Sequence, residues 1–263
     1  MSAVRPPAVA GMFYPADPRL LAHDVQEFLA EARPQALSPK ALIVPHAGYV
    51  YSGAIAASAY ATLKDIAPHI RRVILLGPTH RVAVRGLALP DTEAFDTPLG
   101  KVMLDTDAMR AIAHLPQVHV SGEAHAQEHS LEVQLPFLQS VLNDFTLLPL
   151  AVGMATAAEV AEVLEMVWGG DETLIVISSD LSHYLPYAAA KSVDSKTTQN
   201  ILDLNQPISH EEACGGTPIS GLIIAARKHH LKPHLLDLRN SGDTSGSKLN
   251  VVGYVSIAFS EGK

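Results

Sequence analysis

The chain has 263 residues, 48% of them hydrophobic, with 19 basic against 27 acidic side chains and a formal charge of -8. That is enough for one large core, and the absence of a basic block argues against a nucleic-acid partner. The single cysteine, Cys214, excludes an intrachain disulfide; no apolar run approaches a membrane span and the N-terminus has no signal core, so the sequence reads as a soluble, cytoplasmic protein.

Residues 5–16 form an arm punctuated by Pro and Gly. Asp17 then caps a predicted helix running to about Ala32, with Pro18 at its first position. Ala41 to Val44 is an apolar strand that Pro45 stops, and His46 follows at once. A helix is expected from Ala54 to about Leu63. Arg72 to Leu76 is a second buried strand, running into Gly77, Pro78, Thr79 and His80. Residues 84–104 read as hairpins and 107–114 as a short helix. Ser121 to Glu128 is polar and reads as a loop; His129 ends it, and Ser130 caps a helix that Pro136 kinks. Phe145 to Val152 is a strand, followed by a helix from Ala157 to about Trp168. Thr173 to Ile177 is a third buried strand with a polar end, Ser178 to His183. Helices are expected over 191–204 and 219–228, the latter capped by Thr217, and closing strands over 234–239 and 250–259. His229, His230 and His234, beside Lys or Pro, read as solvated surface. Strands separated by helices imply an α/β fold, a single-domain αβα sandwich over 1–263 with a central, mostly parallel mixed sheet.

His46, His80 and the Asp180/His183 pair all fall just past strand ends, which share one edge in an open sheet. Cys214 precedes a helix N-terminus, where the dipole favours a thiolate. Two imidazoles and a thiolate suit iron, copper or zinc. Tyr49 and Tyr51 read as core or pocket wall. There is no HExxH, Walker loop, GxSxG or GxGxxG, so those enzyme classes gain no support.

Six stretches in order, PAVAGMFYP (7–15), PHAGYVYSG (45–53), ILLGPTHR (74–81), EHSLEVQLPFL (128–138), SSDLSHY (178–184) and CGGTPI (214–219), resemble the Memo family, also known as protein B of the AmmeMemoRadiSam system. The resemblance implies a fold similar to class III extradiol dioxygenases, whose iron(II) is held by two histidines and a carboxylate. It places the metal ligands on His46, His80 and Cys214; the cysteine departs from the carboxylate, so ring cleavage does not carry over. It implies His183 as an acid/base-like histidine with Asp180 beside it, and a cleft shared by Phe13, Tyr49, Glu128 and His129. It further implies one transition-metal ion (iron(II) or copper, with zinc as an option) and two partners, an AMMECR-type protein and a radical SAM protein. Three functions stay open: a metal-dependent oxidoreductase, a non-catalytic module binding a peptide, protein or small molecule, and a zinc-dependent hydrolase.

Overall fold

The computed structural model describes residues 4–262. A short strand, β1 (Val4–Arg5), opens the N-terminal arm, and α1 (Pro18–Glu31) follows it. Next come β2 (Pro39–Val44), α2 (Tyr49–Tyr60) and β3 (Arg72–Pro78). The chain continues through β4 (Leu87–Leu89), β5 (Ala94–Thr97), β6 (Gly100–Met103), α3 (Thr106–Ile112), β7 (Val118–Val120), α4 (Gly122–Ala126) and α5 (Leu135–Val141). Then come β8 (Thr146–Val152), α6 (Ala157–Val167), β9 (Thr173–Ser178), β10 (His183–Leu185) and α7 (Tyr187–Leu202). Helix α8 (Gly216–Lys228), β11 (Leu231–Asn240), α9 (Ser241–Thr244) and β12 (Val251–Glu261) complete it.

The main sheet has the order β10-β12-β2-β9-β3-β8-β4-β7, with β11 also paired to β12. Its centre, β2-β9-β3-β8, is parallel, and the strands flanking that centre are joined to it antiparallel. Alternation explains the two-sided burial. Leu42, Val44, Val73, Leu75, Leu174 and Val176 face one core with residues of α1, α2 and α5. Ala41, Ile43, Ile74, Leu76, Ile175 and Ile177 face the other, with residues of α3, α6 and α8. Helix α2 carries no charged residue because it is buried on most sides, against α1, α5 and the sheet.

Register puts the functional edge in line. Val44 pairs with Ser178, and Leu76 with Ile177, so β2, β9 and β3 end level with one another. The residues just past these three ends emerge together.

Several local expectations are revised. Helix α2 begins at Tyr49, five residues early, because Gly48 serves as its cap and Tyr49 N donates to Phe13 O of the arm at 2.8 Å. Residues 122–126 are helical rather than loop, capped by the Ser121 side chain. Ser130 caps nothing: its Oγ donates to Pro78 O at 2.8 Å, a 3-10 turn over Glu132–Gln134 intervenes, and Pro136 sits in the first turn of α5 without kinking it. Thr217 lies inside α8, whose cap is Gly215. His229 is not solvated surface; it stacks on Trp168 with centroids 3.8 Å apart and bonds to Glu165. His234 bonds to Ser260 Oγ. Among the described residues, no helix is long and apolar enough to cross a membrane.

The Asp17 cap is as expected, its Oδ1 accepting from Arg19 N and Leu20 N at 2.9 Å. Asp17→Ala is expected to lower stability by about 1 kcal/mol, read as a shifted urea midpoint with unchanged slope. A change below about 0.3 kcal/mol would remove the cap from the stability account.

Candidate metal centre

The level strand ends bring together residues far apart in sequence. His46 follows β2, His80 follows β3, and His129 lies on the segment before α5. One nitrogen from each lies within 4.8 Å of those of the other two. The His80 and His129 rings stack at 4.7 Å, and His46 meets both edge-on at 5.2 and 5.4 Å.

Hydrogen bonds fix what two of these rings offer. Ser178 Oγ spends its one proton on Ser130 O at 2.5 Å and also receives Gln134 Nε2 at 2.8 Å. Its contact with His46 Nδ1 at 2.9 Å is therefore Nδ1–H donating to Ser178, which leaves His46 Nε2 without a proton. Glu128 does the same for His80. Its Oε1 lies 2.9 Å from His80 Nδ1, and its Oε2 accepts His80 N at 2.5 Å. Glu128 Oε1 also accepts the backbone N–H groups of His129 and Ser130, both at 2.9 Å. A buried carboxylate so supplied with donors is held at about 2 against the cost of burial, the His80 contacts contributing most. A histidine whose outer nitrogen donates to a carboxylate presents its inner one as a ligand.

Burial also favours the neutral form of two of the three rings. It pushes His46 well below its ordinary value and His129 down to about 4, with the neighbouring His80 and Arg81 adding to the effect on His129 against Glu128. The donor set thus fits a transition-metal ion: three nitrogen donors, two with their outer nitrogens anchored, at one cavity.

The other expected residues fall in three places. His183, Asp180, Phe13 and Tyr51 join His46, His80 and His129 around a cavity of about 800 Å³. Phe13 packs on His129 at 4.7 Å. Asp180 Oδ1 accepts His46 N at 2.7 Å; burial raises it to about 7 despite its backbone donors. Tyr49 and Glu128 stand behind the wall rather than on it. Tyr49 is buried with its OH donating to Val133 O, and Glu128 sits beneath His80 and His129.

Cys214 lies beside the three imidazoles. Its Sγ lies 3.3 Å from His46 Nε2 but outside the 4.8 Å group of three nitrogens. Burial, with Asp180 next, pushes the thiol up to about 12, against the thiolate expected at the head of α8. Desolvation there works against the helix end that favours a thiolate. Sequence reading places His129 in the cleft but not among the ligands. The signal for it is Glu128-His129 itself, a carboxylate directly before an imidazole.

The protein-family model described as "Memo-like protein" matches residues 5–258. A "MEMO1 family protein" of Sulfolobus acidocaldarius is 35% identical, over 98% of this chain and 100% of its own length. One from Aquifex aeolicus is 36% identical, over 97% of this chain and 99% of its own. Among solved structures, that of the "uncharacterized protein JW3007 from Escherichia coli K12" aligns with a TM-score of 0.53, covering 82% of this chain and 98% of that one. At 15% identity that likeness shows the fold alone.

Proposed function

From the premise that this chain belongs to the Memo family, we propose that it is a metal-dependent redox protein whose ion, iron or copper, is held by His46, His80 and His129. The observation that carries this reading is the convergence of three imidazoles, two with their outer nitrogens already engaged as donors. A bound ion there would supply electron transfer or polarise a ligand held in its open positions. The chain's own groups do the rest. Glu128 orients His80 and the backbone of His129. His183, on the cavity wall and held below its ordinary value chiefly by desolvation, stands as a neutral imidazole able to accept a proton. Asp180 fixes the turn at His46 through the His46 amide.

Metal analysis of anaerobically purified protein tests the reading. About one ion per chain is expected, with affinity reduced 10–100-fold in Glu128→Gln, which keeps the shape but loses the charge. Wild-type protein that retains no iron or copper after anaerobic purification, and takes up neither on titration, would overturn it.

A second reading has an observation of its own. Met12, Val50, Tyr184 and Leu249 are large apolar side chains, each at least 65% exposed, on or next to cavity-lining residues. Such a rim suits a docking protein, and the AMMECR-type and radical SAM proteins of the family's system are the proposed partners. Co-purification of either with wild type but not with Val50→Lys supports that arrangement; equal recovery counts against it.

A further inference from the structure

The cavity wall beyond the imidazoles has a chemistry of its own. Four aromatic rings line it: Phe13, Tyr51, Tyr184 and Tyr254. Tyr184 is 73% exposed, with a backbone φ of 58° that non-glycine residues adopt only at a cost. Its ring is thus placed on the wall by a strained backbone rather than by burial. Apart from the imidazoles, the charged side chains on the wall are Arg81 and Asp180. Asp180 is buried and already bonded to the His46 amide. Arg81 is exposed and, among the described residues, has no ion-pair partner. Helix α2 starts at this wall with Gly48 as its cap, but its Tyr49 N–H is already given to Phe13 O, so Arg81 is the cation left for a ligand.

A guanidinium without a counter-ion and a ring of aromatics around one cavity describe a ligand by complement. We propose that this cavity binds a small aromatic monocarboxylate, its carboxylate on Arg81 and its ring against Tyr184, Tyr51 and Phe13. A planar fork matches a carboxylate with two parallel hydrogen bonds. One arginine argues for a monoanion, because phosphate dianions are met by clusters of them. The cavity volume, about 800 Å³, lies in the range that encloses a small organic molecule. The assignment rests on the metal-centre reading, since the same cavity serves both.

The test is calorimetric titration of metal-loaded protein with benzoate, phenylacetate and 3-phenylpropionate. Benzyl alcohol, acetate and phenyl phosphate are the controls, and each protein's metal content is measured in parallel. At least one aromatic acid is expected to bind, about tenfold or more tighter than benzyl alcohol and acetate. Arg81→Gln should weaken that binding by a similar factor with metal content unchanged, Arg81→Lys should recover part of it, and Tyr184→Ala should weaken it severalfold. Arg81 is exposed, so the variants test binding rather than folding. No binding by any acid, equal binding of acid and alcohol, tighter Arg81-dependent binding of phenyl phosphate, or indifference to Arg81→Gln would each overturn the proposal. If wild type holds no metal yet binds an acid through Arg81, the metal-centre reading fails and the ligand assignment stands.

Discussion

Glu132→Ala is expected to cost about 3–5 kcal/mol, the largest stability loss of any single substitution outside the hydrophobic core. Glu132 has no solvent exposure, and its carboxylate takes four hydrogen bonds. Oε2 accepts Arg5 Nη1 at 2.7 Å and Ala8 N at 2.8 Å; Oε1 accepts Val9 N at 3.0 Å and the Tyr14 hydroxyl at 2.6 Å. Removing it strands a buried guanidinium and two backbone N–H groups, each of which bears a desolvation penalty. Arg5 also donates to His125 O and Glu128 O, at 2.6 and 2.7 Å. Loss of the pair therefore loosens the backbone that carries Glu128 and frees the arm that brings Phe13 to His129. Thermal unfolding should show a midpoint lower by roughly 10 °C, at about 2–4 °C per kcal/mol for a chain somewhat shorter than this one. Limited proteolysis should cut within residues 5–16 of the variant before the rest of the chain. The double variant Arg5→Met with Glu132→Leu should cost less than Glu132→Ala, because it removes both charges at once. A single-variant loss below about 1 kcal/mol would mean that the arm is not held by this cluster.

The same cluster shows where the sequence is readable and where it is not. His46 and His80 are legible because strand ends announce themselves. Val44-Pro45 and Gly77-Pro78 stop apolar runs, and parallel strands that share a register must deliver the residues beyond their C-terminal ends to one edge. The Leu131, Leu135 and Leu138 spacing predicts one amphipathic helix from Ser130. That pattern is local, whereas Glu132 and Gln134 are buried by partners from elsewhere: Arg5 and Tyr14 on the arm, Tyr60 on α2, and Ser178 at the end of β9. Hydrophobic periodicity scores a buried carboxylate as a solvent position. The charge state of Cys214 escapes the sequence for a related reason. A helix start after it is visible in Thr217-Pro218, two residues beyond the Gly215 that caps α8, but the desolvation that opposes the dipole comes from the tertiary packing around it. The start of α2 at Tyr49 is hidden because its backbone donor finds an acceptor on the distant arm.

The His46→Ala/His80→Ala protein should hold less than about a tenth of the metal of wild type when both are purified anaerobically, since loss of each donor costs tenfold or more in affinity. Equal, low metal in both proteins would end the metal-centre reading. The third donor is decided by pH. Burial holds His46 well below its ordinary value and His129 at about 4, so near neutrality no proton competes with the ion at either. If His129 completes the set, affinity changes little from these groups between about pH 6 and 8, and His129→Ala loses more metal than Cys214→Ala. The Cys214 thiol, held up at about 12, would have to release its proton to bind. A thiolate ligand therefore predicts one proton released per ion and affinity rising about tenfold per pH unit across that range. Isothermal titration in buffers of different ionisation enthalpy counts those protons directly. Near-zero release from His46, His129 and the thiol is the expected count, because three nitrogens group within 4.8 Å of one another while Sγ, 3.3 Å from His46 Nε2, falls outside that group. One proton released, together with metal loss in Cys214→Ala exceeding that in His129→Ala, would transfer the third position to sulfur and make the centre a two-histidine, one-thiolate site.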